Sequence, residues 1–463
     1  MAEVQSDKTY AFTDDDGAYV LDILNSRTFR TDSQLEDMAA AELPAAPPAA
    51  DYKPLDYMRA QLCVTHACNL NCLYCKLDGD GAGPRVSNMD PATARKAVHA
   101  ILSYKPPDVR KITVSLTSNG ETLINYDLVE ELISYCDQIG VKENCSFSFN
   151  FATNGTLLSK PLLERILRHD NLAIFFSLDG SEAEQDRLRP YANGGASYRD
   201  VLSAVDLYAR QTEGHASRQP ASSTVITTHN LDIPAIFRHL IELGFRNILT
   251  RPVRGPAEWE FALNSGTLEK YKDAYTRFYH FLNQTIDGGH TLYVDSMTPA
   301  YDFFAKPVYM LMLHERRLYG CPHSPPAGTG FTLKNFSLTY DADGTILCPC
   351  RDVIGIERFR VGSLAGGIEN AGVSGIAGWN CESKPECARC WTRYLCGGGC
   401  YLQSFYAHED ITRPDAVVCE LTRHVARLAM KFVAHLEEAH GDLHASLKER
   451  AMSRLPWHSI YGR

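Results

Sequence analysis

From residue 57 to about 255 the chain alternates between two patterns. Short runs rich in apolar, β-branched and aromatic residues are followed by longer segments with the apolar spacing of an amphipathic helix. The strand-like runs fall at 59–65, 111–117, 146–152, 172–178, 222–228 and 246–252. The helix-like segments fall near 91–103, 127–139, 159–169, 198–211 and 232–243. Such alternation predicts parallel β/α units joined by right-handed crossovers. Six strands predict an α/β fold in the form of a partial, open (β/α)6 barrel rather than a closed ring of eight. The segment 66–90 follows the first strand. It should therefore sit at the C-terminal ends of the strands, where parallel α/β folds carry their chemistry.

On either side the pattern changes. Residues 10–30 read as two short strands around an Asp-Gly turn, which makes 1–38 a small N-terminal β module. Residues 39–56 are rich in Ala and Pro and read as an extended linker. After the barrel, 57–255, helical stretches near 267–286 and 300–317 form a bridge over 256–320. Between Cys321 and Cys419 glycines and the turn at Asp343-Gly344 predict a hairpin and loops around metal. An amphipathic helix over about 414–440 closes that domain, 321–440, and 441–463 is left as a tail.

Composition narrows the function classes. An apolar content of 44% and a charged content of 22% are those of a soluble globular protein. The net charge of -10 argues against nucleic acid as a partner. No apolar run reaches the length of roughly 18 residues that a membrane helix needs. The N-terminus lacks the basic and apolar regions of a signal peptide, so a reducing cytoplasm is expected. There, clustered cysteines mean metal or catalysis more often than disulfides.

The chemistry is concentrated in the cysteines. Cys68, Cys72 and Cys75 are spaced three and then two residues apart. Three thiolates can hold three irons of a [4Fe–4S] cube and leave the fourth open to a ligand. The competing reading is a zinc knuckle with His66 as fourth ligand, though zinc sites usually come as paired ligand sets. Cys63, Cys136 and Cys145 stand outside any motif and are expected to be packing residues.

The triad, with Asn69 and Tyr74 embedded in it, resembles the signature of the radical S-adenosylmethionine (SAM) enzymes. In that family the open iron chelates SAM, and one electron splits it to a 5′-deoxyadenosyl radical. Segments downstream resemble the family's SAM-binding elements in the same order. Ser118-Asn119-Gly120-Glu121 stands where the family has Gly-Gly-Glu. Gly120 allows close backbone approach, and Glu121 is implied to meet the SAM ammonium. Thr153-Asn154-Gly155-Thr156 and Ser177-Leu178-Asp179-Gly180 follow the third and fourth strands. The resemblance implies that Asn154, Ser177 and Asp179 line the SAM or substrate site. It also implies that Arg189 pairs with the SAM carboxylate.

The cysteines after residue 320 resemble the SPASM domain of radical SAM enzymes that modify peptides and proteins. Cys387, Cys390, Cys396 and Cys400 have its spacing of two, five and three intervening residues, and Cys419 follows. The resemblance implies two auxiliary [4Fe–4S] clusters, three clusters in all. Cys387, Cys390, Cys396 and Cys419 would hold one; Cys321, Cys400 and Cys348 or Cys350 would hold the other, with Cys381 a candidate further ligand. Pro349 stands where the family has a cysteine. A structural zinc ribbon is the competing reading, but more cysteines are present than a four-ligand site uses. Sulfatase-maturing relatives carry a proton-accepting Asp directly after the corresponding cysteine. Here Arg351 takes that position and Asp352, one residue on, is either the catalytic acceptor or a turn carboxylate.

The function implied is that of a peptide or small-protein maturase. It would abstract hydrogen from a substrate residue and form an oxidative crosslink, thioether or carbon–carbon. The maturase of the quinohemoprotein amine dehydrogenase small subunit is a specific type. An external one-electron reductant of flavodoxin or ferredoxin type would feed it. The alternatives are a sulfatase-type formylglycine maturase, an iron–sulfur electron-transfer protein without SAM chemistry, and a zinc-stabilised interaction protein.

Overall fold

The computed structural model describes residues 1–31, 57–75, 88–116, 119–298, 302–317, 337–348, 350–369 and 380–454. The Ala/Pro linker, Ser118, Cys321, Pro349 and the end of the tail lie outside the described residues.

Residues 1–31 form an antiparallel meander of four strands, β1 (Ala2–Gln5), β2 (Thr9–Asp14), β3 (Gly17–Asp22) and β4 (Arg27–Thr31). The turn between β2 and β3 is the expected one, with Gly17 at φ +139°. The outer two strands lack a clean alternation and were not legible in the pattern.

The barrel follows. Its strands are β5 (Tyr57–Leu62), β6 (Lys111–Ser115), β7 (Ser146–Thr153), β8 (Leu172–Phe176), β9 (Ala221–Ile226) and β10 (Asn247–Pro252). They pair in chain order, each parallel to the next. Between them run α1 (Pro91–Tyr104), α2 (Tyr126–Lys142), α3 (Lys160–Leu167), α4 (Glu182–Leu188), α5 (Tyr198–Gln211) and α6 (Ile233–Glu242). Caps set their starts. Asp90 accepts from the N–H groups of Ala92 and Thr93 ahead of α1, and Asp232 from that of Ala235 in α6. The short α4 went unpredicted; Glu184 accepts from the Ser181 N–H and hydroxyl at its start.

The sheet does not close. At one edge the buried Asp302 accepts from the Thr250 N–H and hydroxyl of β10 and from the N–H groups of Phe304 and Ala305. That carboxylate also starts α8 (Ala305–Leu313), which follows the long α7 (Leu268–Asp287). At the other edge β5 pairs in parallel with β11 (Thr339–Tyr340). Through β12 (Thr345–Leu347), β13 (Arg360–Ser363) and β14 (Gly367–Ile368) the sheet runs on to ten strands. The cysteine-rich region therefore continues the barrel sheet.

After Cys400 the described residues form α9 (Tyr401–His408), α10 (Ala416–Ala439) and α11 (Gly441–Arg454). The last occupies residues that the sequence pattern left as a tail. Its apolar stripe is thin, with only Leu447 and Ala451 packed deeply into the core.

The N-terminal sheet lies on α10 and on the segment around Cys390. Tyr10 stacks on Trp391, ring centroids 3.9 Å apart and near parallel. Arg427 donates to the Tyr10 hydroxyl and to Glu3, and Arg393 to the Asp7 carbonyl. The buried Lys431 ammonium donates to Asp14 and Asp16. Lys431→Met should weaken this docking by about 1–2 kcal/mol, since both carboxylates are partly hydrated. Chemical unfolding measures it; an unchanged midpoint would show that the two ion pairs contribute nothing.

Candidate active site

The triad loop leaves the C-terminal end of β5 and is held by backbone contacts to the other strand ends. Glu121 N–H donates to the Ala67 carbonyl at 2.8 Å. Asn71 and Leu73 N–H donate to the carbonyls of Pro190 and Leu188, and Ala192 N–H to that of Asn69. Asn154 donates to Asn69 at 2.9 Å, and Asn69 to Thr156 at 2.7 Å. Gly120 presses against the same loop: a Cβ there would lie 2.1 Å from the Ala67 carbonyl oxygen. Its value is thus packing against the cysteine loop.

Glu121 is buried, and its carboxylate accepts from the N–H groups of Leu123 and Asn154 and from the Thr153 hydroxyl. Burial raises its pKa, which those donors oppose. With three acceptor sites taken, Glu121 first of all fixes the β6 and β7 loops beneath the triad.

Asp179 is fully buried and acts as a hub. One oxygen accepts from the Val225 N–H at 2.9 Å; the other accepts from Tyr74 Oη and from Arg189 Nε, the latter at 2.8 Å. Arg189 Nη1 comes within 3.9 Å of Cys72 Sγ, and its guanidinium lies 5.3 Å from the centre of the Tyr74 ring. Burial pushes the Cys72 thiol up to about 12, with Arg189 opposing. Ser177 lies at the end of β8, with its N–H on the Thr153 carbonyl. The expected residues Tyr74, Gly120, Glu121, Asn154, Ser177, Asp179 and Arg189 therefore stand on the loops around the triad. Asn230, which donates to the carbonyls of Asp179 and Val225, was missed; an isolated Asn carries no signal.

His66 and Asp341 were also missed as a pair. His66 Nε2 lies 2.7 Å from Asp341 Oδ1, and Cys63 Sγ 3.8 Å from the same nitrogen. Burial acts to raise the Asp341 carboxyl, and the His66 hydrogen bond and charge outweigh it, leaving the pKa below its ordinary value. Cys63 and Cys136 are buried in the core, and Cys145 packs partly buried at its margin.

The second thiol set converges. The Cys419 thiol feels the charges of Cys396, Cys387 and Cys390. Cys381 is buried and feels Cys396 and Cys387, which sets it beside this group. Three consecutive glycines, Gly397, Gly398 and Gly399, take positive φ between Cys396 and Cys400. Lys384 is buried among Cys387, Cys396, Cys419 and Cys400 and donates to the Gly398 carbonyl. Burial lowers its pKa to about 8 against the pull of those cysteines. Cys348 and Cys350 are both buried, at the end of β12 and just beyond. Asp352 lies in a short 3-10 turn with Oδ2 3.9 Å from Arg254 Nη1, on the loop after β10.

The donor sets suit iron–sulfur clusters. Buried thiols with raised pKa values, such as Cys72 and Cys387, give up their protons to a bound metal centre. Open thiol triads and larger thiol groups are the ligand pattern of such clusters.

Residues 62–214 match the family described as Radical SAM superfamily. The matched segment runs from the end of β5 through α5. The chain is similar to an uncharacterized protein of Methanocaldococcus jannaschii, 31% identical over 40% of this chain and 59% of that one. It therefore spans less than two thirds of that relative. A serine-type anaerobic sulfatase-maturating enzyme of Klebsiella aerogenes is 23% identical over 72% of this chain and 77% of its own length. Among solved structures, anSMEcpe with bound AdoMet superposes with a TM-score of 0.66 at 16% identity, covering 85% of this chain and 98% of that one. Streptococcus suis SuiB bound to precursor peptide SuiA gives 0.52 at 12% identity, covering 90% and 99%. These likenesses establish a shared fold.

Gly120→Ala should push the loop after β6 off Ala67 and disorder the triad. Iron retained by the anaerobically reconstituted variant should fall by about four per chain, one cube. Full iron content would mean that the close approach is dispensable.

Proposed function

We propose that the chain is a radical SAM maturase that oxidatively modifies a peptide or small protein. One observation carries this reading. The triad loop, locked to the strand ends of an open barrel, shares a continuous sheet with a second, thiol-rich region. Once a [4Fe–4S] cluster and SAM are bound at the triad, the chemistry available is one-electron cleavage of SAM to methionine and a 5′-deoxyadenosyl radical. The chain's own part is positioning. Arg189, braced by Asp179 and stacked near Tyr74, keeps a fixed cation beside Cys72, suited to a carboxylate. Asp352 Oδ2 is the acceptor for the proton that an oxidised substrate residue releases, and Arg254 keeps it at the barrel mouth.

Cys387, Cys390, Cys396 and Cys419 would hold one auxiliary cluster, with Cys381 beside it. Cys400, Cys321 and Cys348 or Cys350 would hold the other. Such clusters would supply an electron acceptor for the oxidation that accompanies thioether or carbon–carbon bond formation. A flavodoxin- or ferredoxin-type donor supplies the starting electron.

A second reading, formylglycine formation, is favoured by the similarity to the sulfatase-maturating enzyme over 72% of this chain. The displacement of the aspartate to position 352 weighs against it.

Anaerobic reconstitution should give about twelve irons per chain. Cys72→Ala should lose about four of them and abolish deoxyadenosine formation from SAM. Deoxyadenosine persisting in that variant would remove the triad from its role. Peptides modified by the enzyme should lose two hydrogens without gaining a hydrazide-reactive carbonyl; a hydrazide-reactive product would replace the crosslink with formylglycine.

A further inference from the structure

Away from the thiols, three side chains from the ends of two long helices converge on one point. Asp287 is the last residue of α7. His435 lies near the end of α10, and His440 is the residue between α10 and α11. His435 Nε2 and His440 Nε2 both lie 2.8 Å from the same oxygen, Asp287 Oδ1. The imidazole rings are 5.1 Å apart and steeply inclined, at 72°. All three ligand atoms fall within 4.8 Å of one another. The histidine side chains are 30% and 23% exposed and that of Asp287 53%. Packing therefore restrains the rings, while water can reach the carboxylate.

Two imidazoles and a carboxylate are a familiar donor set for divalent first-row ions. Around zinc, with bonds of about 2.0–2.2 Å at tetrahedral angles, neighbouring ligand atoms stand roughly 3.3–3.6 Å apart. The two His–Asp separations of 2.8 Å therefore need to open by about half an ångström or slightly more, within reach of side-chain adjustment. The surroundings favour a cation as well. α7 and α10 both end here, and a helix C-terminus carries partial negative charge on its unpaired carbonyls. Nearby on the α10–α11 corner, Glu437 and Glu438 add negative charge, shared with His444 and Arg30 at 3.7 and 3.5 Å. With no thiol in the set, its chemistry differs from that of the iron–sulfur ligands.

We propose that Asp287, His435 and His440 form a binding site for a divalent transition ion, with zinc the natural probe. Water completes the coordination. The ion fastens the end of α7 to the corner between α10 and α11. The inference is independent of the substrate and of the radical chemistry.

The test uses the full chain, reconstituted anaerobically with its iron–sulfur clusters and titrated with zinc by calorimetry. The wild type should bind one zinc per chain at this site. His435→Gln and Asp287→Asn should each bind it at least about tenfold more weakly, with unchanged iron content. Zinc should also raise the thermal midpoint of the wild type and of neither variant. Equal zinc affinity in wild type and variants would overturn the proposal, because the ion would then sit elsewhere, on a spare thiol for example. A readout on the wild type alone guards against misfolded variants. Diethylpyrocarbonate modification of His435 and His440, mapped by mass spectrometry, should be suppressed by zinc; unprotected histidines would equally overturn the site.

Discussion

The parallel seam between β5 and β11 is the constraint on which the rest of this structure depends. β5 launches the triad loop from its C-terminal end, and its outer edge is covered by the first strand of the cysteine-rich region. An open barrel leaves that edge unpaired, which is costly for buried backbone groups. Covering it with β11 satisfies the backbone and also fixes the distance between two sets of thiols. The His66–Asp341 pair ties the seam from above. One partner precedes Cys68 by two residues, and the other opens the turn of the β11–β12 hairpin that leads to Cys348 and Cys350. A shift of either region would strand a buried charge.

Within the mouth, buried polar groups are spent on one another. Asp179 has its oxygens on Val225, Tyr74 and Arg189; Glu121 has its own on Leu123, Thr153 and Asn154. Fully satisfied networks of this kind give a site a single geometry before any cofactor arrives. An apolar cluster of Val225, Val253 and Phe261 packs against Tyr74 and Trp259. The N-terminal sheet extends this rigidity to the second thiol set, through the stacking of Tyr10 on Trp391 beside Cys390.

Much of this was legible in the residues, for identifiable reasons. The barrel strands are short runs rich in β-branched, aromatic and apolar residues, several of them alternating buried with exposed positions, and such runs announce themselves. The cysteines are legible because their close, regular spacings stand out along the chain. What was hidden has one common cause: it depends on contacts between distant residues. Asp341 looks like any turn carboxylate until the seam brings it 2.7 Å from His66. Lys384, with Glu382 and Glu386 two residues away on either side, looks like surface, yet it is buried among thiols. Asp179 reads as a ligand contact, and its bonds to Val225, Tyr74 and Arg189 are visible only in the fold. α11 has too thin an apolar stripe to be recognised, because its stability comes from packing against α8 and α10.

On the proposed function, the triad holds a cluster with one iron open to SAM, apart from the other thiol sets. Electron paramagnetic resonance of the reduced, reconstituted protein tests it most directly. Adding SAM should change the signal of one cluster and leave the signals of the others as they were. A spectrum indifferent to SAM, with all clusters present and reduced, would mean that the triad holds no open iron.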